Sequence, residues 1–162
     1  MMLVEGMRLP DATFPIVTDA GPQTVKLSDR LSGRRVVIFA VPGAFTPTCD
    51  SAHMPSFVRT ADAFRAKGID EIICLSVNDP HVMRYWGRLT GAADAGISMF
   101  ADAGADFTRS IGMDYSNPER GMLDRSKRYA MLVEDGVVTR LHLEQSTGIC
   151  EISGGEALLA AI

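Results

Sequence analysis

Pro42, Thr46 and Cys49 stand together in VPGAFTPTCD (residues 41–50), between a very apolar segment and the start of a helix. A cysteine in that place can act as a nucleophile, provided it loses its proton. A free thiol has a pKa of ~8.5 and is mostly protonated at neutral pH. If Pro47 takes the first helical position, Thr46 caps the helix and Cys49 falls in its first turn. Unpaired backbone N–H groups converge there and favour negative charge. That effect is worth only ~0.3–1 kcal/mol, so a reactive Cys49 also needs a cation. Position and spacing alone equally describe a small buried cysteine beside a capped helix.

The remaining cysteines and the histidines define the rival chemistries. Cys74, in the apolar run EIICLSV, reads as a buried structural residue, and Cys150 lies late in the chain in TGICEIS. Cys49 and His53 are spaced to share a helix face and offer two metal positions. A structural zinc site takes four ligands, so Cys74 or His81 would have to converge on them, and no metal is expected. His53, His81 and His142 are each candidates for a cysteine-hydrolase dyad, yet no protease or amidase cysteine signature surrounds Cys49. A thiol sensor or holdase would react once with an oxidant and stop. There is no glycine-rich phosphate loop, and GAADAG (91–96) reads as a flexible connection.

The elements that must position Cys49 follow from periodicity. RRVVIFAV (34–41) and EIICLSV (71–77) are β-branched, nearly continuous apolar runs, as expected of strands buried on both faces. Between them Met54, Phe57, Val58, Ala61 and Phe64 recur at helical spacing, with Pro55 predicting a kink. TFPIVTD (13–19) and TVKL (24–27), joined through AGPQ, predict an N-terminal hairpin. Asp79 and Pro80 open another helix as cap and first residue. A short strand near 97–100 and a helix near 103–111 come next. RYAMLVED and VVTRLHLE meet at the Asp135-Gly136 turn, and SGGEALLAAI closes the chain as a helix. This order predicts one α/β domain over residues 1–162, with a thioredoxin-like mixed central sheet flanked by helices.

Composition sets outer bounds. The chain has 162 residues, 46% hydrophobic and 22% charged, with a net charge of -4, as in ordinary globular domains. The basic clusters are only Arg34-Arg35 and RSKR (125–128), which argues against nucleic acid and acidic membrane as partners. The longest apolar run, VVIFAV, is too short to cross a bilayer. The start MMLVEGMRLPDATF lacks the basic beginning and apolar core of a signal peptide. With three cysteines and no paired framework, the expected location is cytoplasmic.

At this point the sequence resembles a family. Pro42, Thr46 and Cys49 match the P-x-x-x-T-x-x-C signature of peroxiredoxins, and VPGAFTPTC is similar almost letter for letter to the type II, peroxiredoxin-5-like version. The resemblance continues through HMPSFV (53–58), CLSVNDP (74–80), YWGR (85–88) and SKRYAMLVEDG (126–136). It implies a thiol-dependent peroxidase for hydrogen peroxide and organic hydroperoxides, with no bound cofactor and a role in antioxidant defence. Cys49 would attack a peroxide oxygen and become a sulfenic acid. Thr46 would hydrogen-bond peroxide and thiolate, and Pro42 would shield the sulfur. The missing cation would be Arg128, matched through KRYAMLV. The resemblance also implies a non-covalent homodimer.

It leaves the reductant open between glutathione, with or without glutaredoxin, and a dithiol protein such as thioredoxin. Cys74 matches the cysteine with which plant type II enzymes form an intramolecular disulfide. Cys150 falls short of the animal resolving position by roughly two residues, an offset of ~6–7 Å in extended chain. Disulfides need Cα separations of roughly 4.4–6.8 Å, so either pairing with Cys49 predicts local unfolding of its helix. Cys74 or glutathione ranks above Cys150 as resolver.

Overall fold

The computed structural model describes residues 2–162. Its centre is a five-stranded mixed sheet in the order β5-β4-β3-β8-β9. β3 (Arg35–Val41) lies in the middle, parallel to β4 (Glu71–Ser76) and antiparallel to β8 (Tyr129–Glu134). β5 (Ser98–Ala101) and β9 (Val137–Leu143) form the edges. Alternate residues of β3 serve two cores, because successive strand side chains point to opposite faces. Val37, Phe39 and Val41 pack with Phe57 and Phe64 of α2 (Met54–Ala66), Trp86 of α3 (Pro80–Leu89) and Leu158 of α5 (Gly155–Ala161). Val36, Ile38 and Ala40 pack with Phe14 of β1 (Thr13–Thr18), Val25 of β2 (Gly21–Lys26) and Phe107 of α4 (Asp106–Ser110). This two-sided burial explains why β3 reads as an uninterrupted apolar run. The thioredoxin-like mixed sheet, its flanking helices and the N-terminal hairpin are as expected.

Several local expectations hold on their own chemistry. Asp79 Oδ1 accepts the N–H groups of His81 (2.8 Å) and Val82 (3.0 Å), which starts α3 at Pro80. Asp135 and Gly136 both have positive φ, 48° and 81°, as a two-residue β8–β9 turn of type I′ requires. Others shift. The first hairpin turns at Asp19-Ala20 rather than across AGPQ, because Gly21 at φ +101° lets β2 begin there and run through Pro22. Residues 91–96 form hydrogen-bonded turns, with Ala95 N–H on Gly91 O and Ile97 N–H on Ala92 O, both at 3.0 Å. Ala92 is wholly buried in the core, so this connection is packed rather than loose. The expected helix near 103–111 shortens to α4.

Helix α1 (Leu27–Leu31) and the hairpin of β6 (Asp114–Asn117) with β7 (Met122–Ser126) were not anticipated. Leu27 and Leu31 bury one helical turn apart, the only sequence signal for α1. The kink foreseen at Pro55 takes another form. Residues Cys49–His53 make a π-helical turn, in which Met54 N–H reaches back to Cys49 O. Pro55, which has no N–H to give, then sits in the first turn of α2, where none is needed.

Candidate active site

Cys49 lies just past the carboxyl end of β3, in the π turn, and is wholly buried. The turn between them, Pro42 to Thr46, is tied to the end of β4. Asn78 Oδ1 accepts Ala44 N–H at 3.0 Å and the Ser76 hydroxyl at 2.5 Å. On the other side Asp50 accepts the Trp86 indole N–H at 2.8 Å. Both flanks of Cys49 are therefore pinned to neighbouring elements.

Thr46 stands at the helix start as expected, its carbonyl accepting Asp50 N–H at 2.9 Å. Its hydroxyl does not cap the helix, however. It donates to Gly43 O at 2.7 Å, because the turn folds that carbonyl back within reach. The hydroxyl hydrogen is thus committed, leaving the oxygen lone pairs toward the cleft that Thr46 lines. Phe45 beside it adopts φ +65°, a costly conformation for a bulky residue, with its ring half-exposed.

Arg128 immediately precedes β8 and is 2% exposed, so it is no surface arginine. Its Nη2 donates to Cys49 Sγ at 3.0 Å. Nη2 and Nε both donate to Thr147 O, at 2.9 and 3.2 Å. Nη1 donates to His53 Nδ1 at 2.9 Å. A guanidinium is a donor only, so Nδ1 accepts, the ring proton sits on Nε2, and Nε2 donates to Ser153 O at 2.9 Å. Burial, reinforced by the Arg128 charge, pushes the His53 pKa down to about 3, against the pull of the Ser153 carbonyl. His53 is neutral at ordinary pH.

This arrangement answers the rival chemistries. Cys49 and His53 both bond the same guanidinium, which occupies the place between them. Among the described residues no three His, Cys, Asp or Glu side chains are grouped to hold a metal ion. A hydrolase dyad needs an imidazole on the sulfur, whereas His53 bonds Arg128, and His142 Nδ1 bonds Ile152 O at 2.7 Å.

Pro42, Thr46, Tyr115, Arg120, Arg128 and Thr147 line a cleft of about 570 Å³. The segment 144–153, which gives Ser146, Thr147 and Gly148 to its wall, carried no sequence signal for this role, since it acts through backbone carbonyls. Thr147 O holds Arg128, Ser153 O holds His53, and Gly148 O takes the Thr48 hydroxyl at 3.1 Å. Glu144 clasps the segment by accepting Glu151 N–H, Ser153 N–H and the Ser153 hydroxyl at 2.6–2.8 Å. Burial opposes the charge of that carboxylate, but these hydrogen bonds outweigh it and hold its pKa below the usual value.

All three cysteines are free thiols. Cys74 is wholly buried in β4, beside Phe39 of β3 and Met99 of β5. Burial, with Cys49 nearby, pushes its thiol well above the ordinary value, against the pull of Arg128. Cys150 is half-buried within the clasped segment, and burial raises its thiol too.

A thioredoxin-like sheet presenting a buried cysteine to a guanidinium, beside a small cleft, defines a thiol peroxidase. The redoxin family matches residues 4–159 of this chain. The chloroplastic peroxiredoxin-2E-2 of Oryza sativa subsp. japonica is 44% identical over 161 residues, covering 97% of this chain and 71% of that protein. Peroxiredoxin-2C of Arabidopsis thaliana is 38% identical over 155 residues, covering 95% and 94%. The structure of reduced Prx3 from Vibrio vulnificus in complex with hydrogen peroxide superposes with a TM-score of 0.92, at 42% identity and 99% coverage of both chains. The chain belongs to the redoxin family and, within it, to the type II peroxiredoxins. It is a thiol-dependent peroxidase whose peroxidatic residue is Cys49, with Arg128 nearby.

Proposed function

We propose that Cys49, Thr46, Arg128 and Pro42 divide the peroxidase reaction as follows. A hydroperoxide, either hydrogen peroxide or an organic one, enters the cleft and meets the Cys49 thiolate. Thr46 accepts the peroxide O–H through the lone pairs left free by its bond to Gly43. Arg128 steadies the thiolate and then the negative charge developing on the departing oxygen. Pro42 covers the sulfur from the cleft side. The S–O bond forms as the O–O bond breaks, the leaving oxygen takes a proton, and water or an alcohol departs from a sulfenic acid. The observation that carries this assignment is the 3.0 Å contact from Arg128 to the Cys49 sulfur inside a protein interior.

The sulfenic acid is then recycled by an external thiol, glutathione with or without glutaredoxin, or a dithiol protein such as thioredoxin. Attack by a thiol releases water and forms a mixed disulfide, and a second thiol frees Cys49. The burial of Cys74 and its raised pKa disfavour it as the attacking group without local unfolding, and Cys150 is fixed in the clasped segment. Intact mass after one equivalent of peroxide, with and without glutathione, tests this on wild type, Cys74→Ser and Cys150→Ser. A glutathione adduct in all three supports the external thiol. A loss of two hydrogens that vanishes in only one variant would assign the resolver to that cysteine instead.

We further infer that the chain works as one domain and pairs as a non-covalent homodimer beside the active-site loops. Phe45 and Leu123, which border that region, are exposed at 49% and 59%. No helix among the described residues is long and apolar enough to cross a membrane. A cycle run on free thiols suits a reducing compartment, and we place the protein in the cytoplasm. Its role there is antioxidant defence and redox homeostasis.

A further inference from the structure

We propose that His53 is a positioning residue for peroxide reduction, its Nδ1 lone pair holding the Arg128 guanidinium at the angle that aims Nη2 at the Cys49 sulfur. The guanidinium has three supports. Thr147 O takes the Nε–Nη2 edge, Cys49 Sγ takes Nη2, and His53 Nδ1 takes Nη1. The Thr147 carbonyl alone is a pivot, about which the plane can tilt. The Nη1 contact removes that freedom, and a fixed fork is what makes arginine useful against a developing charge.

The ring is itself held. Its Nε2–H donates to Ser153 O, and Ser153 is fastened through both N–H and hydroxyl to the Glu144 carboxylate. Phe39 and Phe57 stack on each other at 4.1 Å and flank the imidazole at 5.1 and 5.6 Å. That dry setting keeps the ring neutral, as its depressed pKa indicates, so Nδ1 stays an acceptor. A protonated ring would lose the lone pair and place a second cation against Arg128. His53 bonds Arg128 rather than the sulfur and does not line the cleft, so it acts through Arg128.

The rival account is that His53 merely fills space against the two stacked phenylalanines. His53→Leu keeps the bulk and removes the acceptor. His53→Asn puts Oδ1 near the place of Nδ1. The measurements are the second-order rate constant with hydrogen peroxide and the pH titration of Cys49 thiolate absorbance. His53→Leu is expected to slow peroxide reduction roughly tenfold and move the titration to higher pH, with His53→Asn restoring most of both. Wild-type behaviour in His53→Leu, or an equal defect in both variants, overturns the proposal. If His53→Leu does not fold, nitrogen NMR of labelled wild type replaces it. A ring protonated at Nε2 alone across the active pH range supports the role, and a proton on Nδ1 there contradicts it.

Discussion

Trp86 donates its indole N–H to Asp50, the residue directly after Cys49, at 2.8 Å. It is the chain's single tryptophan and wholly buried. Unwinding of the π turn on formation of a mixed disulfide should break this bond and change the emission of Trp86. Peroxide followed by glutathione should therefore shift the fluorescence of wild type and leave that of Cys49→Ser unchanged. An equal response in both would show that Trp86 senses something other than the chemistry of Cys49.

Arg128 supplies three different contacts, to sulfur, carbonyl and imidazole. Arg128→Ala should lower kcat/KM for peroxide by ~10²–10³-fold, as removal of a preorganised charge-stabilising donor does. Arg128→Lys should recover little of it, because an ammonium cannot span the same partners as a planar fork. Steady-state kinetics with circular dichroism on the same samples separates this from unfolding.

Thr46 divides its hydroxyl between Gly43 and the cleft. Thr46→Ser retains the oxygen and should stay within a few-fold of wild type, whereas Thr46→Val should lose roughly tenfold to a hundredfold in the peroxide step. Stopped-flow measurement with limiting peroxide decides between them. Equal rates for Ser and Val would remove Thr46 from the mechanism.

His53 links stability to pH. Its pKa is depressed to about 3 in the fold, against about 6.5 in an unfolded chain. Below pH ~6.5 the unfolded chain takes up a proton that the fold refuses, so stability falls as pH drops toward the folded value. The full effect is on the order of 5 kcal/mol, most of it developing between pH ~6 and pH ~3. Urea unfolding across this window should show a shallower acid loss in His53→Asn than in wild type. Parallel curves would mean that His53 is not the linked group.

Gly155 sits where α5 crosses α2, its N–H on Ser56 Oγ at 2.8 Å. A β-carbon there would come within 2.5 Å of the Ser56 carbonyl oxygen, which is backbone and cannot swing aside. Gly155→Ala should destabilise the protein by ~1–3 kcal/mol through overpacking, with little change in the peroxide step. Thermal unfolding checks the first half and stopped-flow the second.

The fold was readable where burial leaves a long, strong pattern. β3 and β4 announced themselves by apolar runs, α3 by Asp79-Pro80, and the β8–β9 turn by Asp135-Gly136. β6 and β7 did not, since DYSN and MLDRS are short and mostly polar with no alternation to detect. In the site, Cys49 and Arg128 were legible because a motif names their side chains, and the same motif pointed to Pro42 and Thr46, which line the cleft. Thr147, Gly148 and Ser153 contribute carbonyls, which every residue carries, so no residue type marks them. His53 was visible only as a metal or dyad candidate. Its role depends on Arg128, 75 residues away in the chain, and that proximity is created by β8 pairing with β3.

The central claim is that Cys49 gives the sulfur that peroxide oxidises. Trapping with dimedone after one equivalent of hydrogen peroxide, followed by peptide mass mapping, tests it most directly. The expected result is a single adduct on Cys49, absent from Cys49→Ser together with all peroxide consumption. An adduct on Cys74 or Cys150 as the first product, or sustained peroxide turnover by Cys49→Ser, would contradict it.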